Sequence, residues 1–188
     1  KRPRRAEGAV LAESFDRLAV EAAARRYADL GGEPLLVEPC PAGRFNTSFF
    51  VRGQAGEVVV RIAPGGDAGL VFYERGMMAR EPRAHELVRE KTSAPVARVL
   101  GYDTRRDLLG RDFMVLERLP GKPLSAAPGV SASSVWRQVG GFLRQVHAIT
   151  GPGYGYEGPE GGMAPRKSWG EAFHYMWNRL VDDIEACG

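Results

Sequence analysis

The amino-acid sequence predicts an α+β fold in which a five-stranded antiparallel sheet with one inserted helix precedes a helical region. Three observations predict this fold. Over residues 35–63, segments of β-branched and aromatic residues alternate with short turns containing Gly and Pro. A helical pattern then separates the third segment from two further ones. After Pro120 the chain becomes rich in Pro, Gly and Ser and then helical, which predicts a boundary between two parts.

A leading helix is predicted over residues 14–30. Ser14 is a candidate N-cap, and Gly31 with Gly32 would end the helix. Apolar residues recur at helical spacing and predict one buried face, made of Phe15, Leu18, Ala19, Ala22, Ala23, Tyr27 and Leu30.

Three strands are predicted at 35–40, 47–52 and 57–63, and their short connections make them antiparallel neighbours. Arg61 interrupts the apolar run of the third strand. It alternates onto the same face as Val59 and Ala63, which predicts an inward position. A solvent-facing arginine on an edge strand is the alternative. A charge on an inward face requires a partner, because burying it unpaired is costly.

The next helix is predicted within residues 70–90. Pro82 lacks the backbone donor that an inner turn needs, which favours a helix start near Arg80. The segments "VARVLGY" and "DFMVLERL" are predicted as the fourth and fifth strands, the latter being a continuous apolar run typical of a central strand.

Two helices are predicted after the boundary. The first starts at Ser131 or Ser133 and has apolar residues at helical spacing, which predicts that one side is buried. Gly140 and Gly141 within it would permit close packing. The second helix begins with a capping-box pattern formed by Ser168 and Glu171.

Length and composition predict a globular protein with a real core, because 44% of the 188 residues are hydrophobic. The longest apolar runs are far shorter than a membrane span, and no signal-peptide pattern begins the chain. We therefore expect a cytoplasmic protein with no membrane partner. Cys40 and Cys187 are too few to predict a disulfide framework or a metal cluster.

The net charge of +3 does not predict a nucleic-acid partner, because it comes from the first five residues. Lys1, Arg2, Arg4 and Arg5 are four of the 26 basic residues, so the rest of the chain has 22 against 23 acidic residues, or −1. A basic DNA-binding protein is the weakest alternative, since no basic recognition helix is evident.

The layout of hairpin, basic strand, helix with a carboxylate, two strands and a Pro-Gly hinge resembles the aminoglycoside phosphotransferase family, small-molecule kinases of protein-kinase-like fold. Four ordered blocks carry the resemblance: "GRFNTSFFVR", "VVVRIAP", "AREPRAHELV" and "DFMVLERLPGKPL". It implies an N-terminal nucleotide-binding lobe with a leading helix at 1–119, a hinge at 120–130 and the first helices of an incomplete C-terminal lobe at 131–188.

The resemblance also implies which residues bind ATP. The first block is similar to the hairpin that covers the phosphates, at the positions of Gly43, Asn46, Thr47 and Ser48, although an ordinary β-turn has the same composition. Arg61 occupies the place of the third-strand lysine of protein kinases.

Glu81 on the inserted helix matches the family's partner of the third-strand cation, and Glu86 is the competing carboxylate. At the hinge, the carbonyl of Glu117 and the N–H of Leu119 would hold the adenine edge, with Leu116 behind it. A core strand entering a turn would explain this composition equally well.

The family's catalytic loop, His-Gly-Asp followed by Asn, does not occur in the sequence, because none of His85, His147 and His174 precedes Gly-Asp. His147 matches a helix-end position and is interpreted as structural. We therefore expect an ATP- and Mg²⁺-dependent phosphotransferase of a small-molecule hydroxyl acceptor, present here without its catalytic residues and metal ligands, which would lie beyond Gly188. The fragment alone would be inactive.

A non-catalytic nucleotide-binding or interaction module of the same shape is the alternative. A truncated second lobe would also leave apolar helix faces uncovered, at residues such as Trp169, Phe173, Met176 and Trp177. We therefore expect self-association through these helices.

Overall fold

A computed structural model describes residues 15–40, 45–66, 70–157 and 163–186. Ser14, Gly43 and Cys187, which entered the sequence predictions, lie outside these ranges. Nine helices and strands are found in the described residues: α1 (Arg17–Arg25), β1 (Leu36–Pro39), β2 (Thr47–Arg52), β3 (Glu57–Ile62), α2 (Met77–Lys91), β4 (Val99–Asp103), β5 (Phe113–Glu117), α3 (Ala132–His147) and α4 (Trp169–Ala186). A short 3-10 helix, Leu124–Ala126, lies between β5 and α3.

The five strands form one antiparallel sheet in the order β1-β2-β3-β5-β4. The predicted fold class is confirmed, including the helix between the third and fourth strands. β3 is the middle strand, so Arg61 is not on an edge, and the alternative of an edge-strand arginine is wrong. In the register of the sheet, Arg61 lies between Ser48 of β2 and Met114 of β5.

The two faces of the sheet carry different apolar clusters. One face packs against α1 and contains alternate residues of β3, namely Val58, Val60 and Ile62, which are nearly or fully buried. The other face carries Val59, Arg61 and Ala63, as strand alternation requires. There Met78 of α2 packs on Met114 and Leu116 of β5. The face that holds Arg61 is therefore the one that α2 covers.

Helix α1 is shorter than predicted and buries a different face. Its N-cap is Asp16, whose carboxylate accepts a hydrogen bond from the N–H of Leu18 at 3.3 Å, and the helix ends at Arg25. Val20, Ala23 and Ala24 are fully buried, whereas Leu18 is exposed. The prediction that Leu18 and Ala22 face the core is wrong, because the side of the helix that packs on the sheet carries Val20, Ala23 and Ala24.

Helix α2 begins at Met77, and the predicted start near Arg80 is wrong. Pro82 lies inside the helix. A proline in the second turn removes one hydrogen bond, that to the carbonyl of Met78, but does not prevent the helix from continuing. The residue before the helix, Gly76, has the left-handed φ of 60°, a conformation that glycine adopts without steric cost.

The two C-terminal helices begin where the sequence predicted. Ser131 caps α3 by accepting a hydrogen bond from the N–H of Ser134 at 3.4 Å. Ser168 accepts one from the N–H of Glu171 at 3.2 Å, and the Glu171 carboxylate accepts one from the N–H of Lys167. Both caps satisfy backbone donors that a helix leaves open.

The prediction that one side of α3 is buried is wrong. No residue of α3 is buried, and no atom outside the helix lies within 4 Å of where a side chain at Gly140 or Gly141 would begin. Exposed large apolar side chains occur on both helices, with Trp136 and Leu143 on α3 and Trp169, Phe173, Trp177, Val181 and Ile184 on α4. Met176 is half-buried. The division at residues 120–130 stays a prediction.

None of the helices in the described ranges has the length and apolar character needed to cross a lipid bilayer.

The buried carboxylate of Asp103, at the end of β4, fastens α1 to the sheet. It accepts hydrogen bonds from Arg26 at 2.7 Å, from the Tyr27 hydroxyl at 3.1 Å and from the side chain of Arg105 at 2.7 Å. These bonds, led by that from Arg105, hold the pKa of Asp103 well below its ordinary value, although desolvation opposes the shift. The Tyr27 ring packs on Gly101 so closely that a Cβ there would lie 2.0 Å from a ring atom.

We predict that Asp103 makes the fold acid-sensitive. A carboxyl group whose pKa is depressed by folding stabilises the folded state above its unfolded pKa of about 3.9, and this stabilisation is lost as the pH falls toward the folded-state pKa. Asp103→Asn should therefore lower the melting temperature at pH 7 and make it fall less steeply between pH 5 and pH 2. Glu86→Gln, at an exposed position, is the control. If the melting temperatures of Asp103→Asn and the wild type fall equally steeply between pH 5 and pH 2, the assignment is wrong.

Candidate functional site

An ion pair joins the middle strand to α2. The Nη1 group of Arg61 donates a hydrogen bond to Oε2 of Glu81. The side chain of Arg61 is 33% exposed and that of Glu81 is 20% exposed, so the charges are paired without being fully desolvated. The pairing predicted from the sequence is confirmed.

The turn between β1 and β2 meets the same carboxylate. Asn46, which immediately precedes β2, donates a hydrogen bond from Nδ2 to Oε1 of Glu81 at 3.4 Å. Each oxygen of Glu81 thus has its own partner, one from β3 and one from the turn. The strand order places these groups at one end of the sheet, since Thr47 of β2 lies opposite Ile62 of β3. Three residues singled out from separate segments are therefore brought together.

An open cavity with a volume of about 470 Å³ lies at this end of the sheet. Asn46, Ser48 and Arg61 line it, together with residues of the β3–α2 connection and the first turn of α2. Ser48 and Arg61 are cross-strand partners in the register, so their side chains project from the same face. The cavity can accept an anionic group, because it combines a guanidinium with an amide and a hydroxyl.

The connection between β4 and β5 forms another wall of the cavity, which the sequence analysis missed. It contributes Arg106, Gly110, Arg111 and Asp112. Nε of Arg106 donates to the Asp112 carboxylate at 2.7 Å, and the hydroxyl of Tyr102 donates to the same carboxylate at 3.3 Å. The available signal was the charge-rich segment "DTRRDLLGR" between two predicted strands.

The remaining predicted site residues lie elsewhere. Thr47 pairs with Ile62, whose side chain points to the α1 side of the sheet, so Thr47 projects away from Arg61. Glu117 and Leu119 lie at the opposite end of β5 and do not line the cavity. The Glu117 carboxylate accepts a hydrogen bond from the N–H of Arg98 at 3.1 Å. The roles assigned to these residues stay predictions.

The competing carboxylate and the histidines do not take part in this arrangement. Glu86 pairs with Arg83 at 3.6 Å on the surface of α2, with both side chains 61% exposed. Nδ1 of His85 lies 2.8 Å from the carbonyl of Ala97, and His147 ends α3. In the part of the chain that the structure describes, no group of three or more His, Cys, Asp or Glu residues is placed to hold a metal ion.

Two solved structures share this fold. A protein from Ralstonia eutropha JMP134 provisionally named aminoglycoside phosphotransferase aligns with a TM-score of 0.54 and 22% identity, covering 76% of this chain and 44% of that one. A protein from Haemophilus somnus 129PT provisionally named fructosamine-3-kinase aligns with a TM-score of 0.52 and 19% identity, covering 80% and 49% respectively. The chain thus spans less than half the length of the structures it matches. No curated protein matches it significantly.

A model of the phosphotransferase enzyme family matches residues 36–186 of this chain. The matched range includes all five strands and helices α2, α3 and α4. The match contains the Arg61–Glu81 pair and the cavity beside it. The chain therefore belongs to the phosphotransferase enzyme family.

Proposed function

We propose that this chain is the nucleotide-binding portion of an ATP-dependent phosphotransferase that acts on a small-molecule hydroxyl in the cytoplasm. The observation that carries the proposal is the Arg61–Glu81 pair beside an open cavity, in a chain of the phosphotransferase enzyme family. The rest of the enzyme would follow Gly188, because the order of hairpin, basic strand, helix and hinge resembles an N-terminal lobe, and this chain covers less than half of each matched structure.

The phosphate chain would bind at the cavity end of the sheet. The structure gives Arg61 one hydrogen-bond partner among the described residues, Glu81, which engages Nη1. Nε and Nη2 therefore retain donors for phosphate oxygens, which a guanidinium can bind in a bidentate manner. Asn46 and Ser48 would add polar contacts from the adjacent strand and turn. Glu81 would orient the guanidinium and limit its motion without touching the phosphates.

The adenine ring would bind toward the opposite end of the same face. From Phe113 to Glu117 strand β5 spans about 13 Å, so the hinge and the cavity are separated by roughly the length of an extended ligand. Leu116 packs in the cluster on the α2 side of the sheet. We place the adenine edge against the carbonyl of Glu117 and the N–H of Leu119, with Leu116 forming the apolar back of the pocket.

ATP would supply the transferred γ-phosphoryl group. The contribution of this chain is to position the phosphates and to neutralise their charge, which is the larger part of catalysis in phosphoryl transfer. The described residues contain no candidate group of metal ligands and the sequence has no His-Gly-Asp, so we assign neither Mg²⁺ nor the general base to this chain. Both would be supplied by residues beyond 188, and the 188-residue chain alone would be inactive.

We predict that the full-length chain binds Mg-ATP and that Arg61→Ala lowers kcat by about 100- to 1,000-fold, because a charge-assisted contact to the phosphates is lost. Glu81→Ala should lower it less. Arg83→Ala, on the exposed side of the same helix, is the matched control and should leave turnover unchanged. Calorimetry and coupled turnover assays with a panel of hydroxyl-bearing acceptors provide the measurements.

Three results would separate the alternatives. If calorimetry detects no Mg-ATP binding by the wild-type full-length chain, the proposal is wrong. Binding without turnover for any acceptor would favour the non-catalytic nucleotide-binding module. Turnover that is unaltered in Arg61→Ala would remove this residue from the site.

We also propose that the 188-residue chain self-associates through the exposed aromatic face of α4. Trp169, Phe173 and Trp177 recur every four residues and are each about half exposed, and Phe173 and Trp177 stack with ring centroids 6.1 Å apart. Sedimentation velocity should show concentration-dependent association, and Trp177→Asp should suppress it. Asn178→Asp adds the same charge at the next exposed position and should not. A monomer at all concentrations would refute self-association.

A further inference from the structure

Asp183, on α4, is a buried carboxylate whose two oxygens bind a segment 111 residues earlier in the chain. Oδ2 accepts a hydrogen bond from the backbone N–H of Phe72 at 2.6 Å, and Oδ1 accepts one from Nη2 of Arg75 at 2.7 Å. Of the α4 residues, only Ala172 and Asp183 are buried. A buried charge is tolerated where it is paired and hydrogen-bonded, and this one meets both conditions.

The segment that Asp183 binds, residues 70–76, leads directly into α2. Phe72 is buried, and its ring meets those of Tyr73 and Tyr156 edge-on with centroids 5.4 and 5.9 Å away. Tyr73 stacks on Tyr156 with centroids 5.2 Å apart. The guanidinium of Arg179, one helical turn before Asp183, lies 5.9 Å from the Phe72 ring. The segment is thus anchored to the C-terminal region by packing as well as by hydrogen bonds.

The same segment is bonded to α2. The side chain of Arg80 donates a hydrogen bond to the carbonyl of Tyr73, and the N–H of Ala79 donates one to the carbonyl of Gly76 at 3.1 Å. Arg80 is followed in the helix by Glu81, the partner of Arg61. A continuous series of contacts therefore joins Asp183 to the ion pair of the candidate site.

Helix α2 has little of its own to fix its N-terminus. Gly76 offers no side-chain cap, and the first turn contains no acidic residue to complement the helix dipole. Pro82 removes one further hydrogen bond from the second turn. An anchor outside the helix has more effect under these conditions, because α2 has neither a side-chain cap nor an acidic residue in its first turn.

We propose that Asp183 is a positioning residue for the Arg61–Glu81 pair. By binding Phe72 and Arg75 it fixes the segment from which α2 begins, and it thereby sets where Glu81 stands relative to Arg61. Asp183 thereby couples α4 to the end of the site where the phosphates would bind. The effect on nucleotide binding rests on the proposed function. Asp183 acts through other residues and touches no substrate.

Hydrogen exchange in the full-length chain tests the placement of α2 independently of any nucleotide. Asp183→Ala should accelerate exchange of the amides of residues 71–91 by about tenfold or more, because the helix start would open locally. The amides of β2, β3 and β5 should change by less than about twofold, because that core does not include Asp183. Asp182→Ala, at the adjacent exposed carboxylate, is the matched control and should change neither set.

Arg75→Ala provides a second variant. It removes the ion pair with Asp183 but keeps the hydrogen bond from the backbone N–H of Phe72 to the Asp183 carboxylate. It should accelerate exchange over residues 71–91 to a smaller extent, and Arg75→Lys should restore part of the protection. Uniform acceleration over the whole chain in both Asp183→Ala and Arg75→Ala would show a general structural role and overturn the proposal. Loss of protection at Phe72 alone, with α2 unchanged, would overturn it as well.

Calorimetry with Mg-ATP provides the functional measurement. Asp183→Ala should weaken binding by about tenfold at a temperature where the sheet amides stay protected, whereas Asp182→Ala should bind as the wild type does. If α2 loosens but affinity is unchanged, Asp183 does not position the site and the proposal is wrong. If the wild type binds no Mg-ATP, the proposed function fails, whereas the exchange data still decide whether Asp183 holds α2.

Discussion

The position of Arg61 on the middle strand constrains the rest of this structure. A guanidinium on the covered face of a sheet must be paired, since burying it alone costs several kcal/mol. β2 and β5, the two strands beside β3, offer Ser48 and Met114 opposite Arg61, neither of which is a carboxylate. The partner has to come from an element lying across the face, and α2 supplies Glu81. The apolar contact of α2 with the sheet is correspondingly limited to Met78 on Met114 and Leu116 and their neighbours.

The two faces of the sheet therefore differ in composition. The α1 face is an apolar core, and the buried carboxylate of Asp103 at its edge is enclosed by Arg26, Arg105 and Tyr27. The α2 face carries a partly exposed charge pair next to an open cavity. Closing that cavity with apolar side chains would strengthen packing but would desolvate the pair. The larger apolar cluster thus lies on the α1 face, and the cavity opens on the face that carries Arg61.

The strands could be predicted within two or three residues because alternation, β-branched composition and Gly-containing turns are local signals, and each agrees with the final sheet. The ion pair could be predicted for a different reason. An arginine within an apolar run requires a partner, and two carboxylates of the following helix were considered, of which Glu86 lies on the surface. Strand register and helix position, which no local signal contains, then decided in favour of Glu81.

The errors have one physical origin, which is that they depend on contacts distant in sequence. Pro82 suggested a later helix start, but α2 begins at Met77, after a segment in which the N–H of Phe72 is bonded to Asp183, far along the chain. The apolar spacing of α3 predicted burial, yet a periodic pattern specifies which side would be covered and not whether anything covers it. The contribution of Arg106 and Asp112 to the cavity could likewise not be predicted from the sequence, because it depends on the folded sheet placing the β4–β5 connection beside Asn46 and Ser48.

Helix α2 belongs to neither part of the chain alone. Its start is tied to α4 through Asp183, and just beyond its end the N–H of Ser93 donates to the side-chain oxygen of Gln145 on α3 at 2.9 Å. The sheet and α1, in contrast, share a core that contains no residue of α3 or α4. A sequence division near residue 120 separates the sheet from the C-terminal helices, but it also separates α2 from its contacts with α3 and α4. The ion pair with Arg61 thus joins the middle strand to a helix that packs on the sheet through Met78 and is bonded to the C-terminal helices by the segments before and after it. Under the proposed role of Asp183, a change at α4 would reach Glu81 through the start of α2.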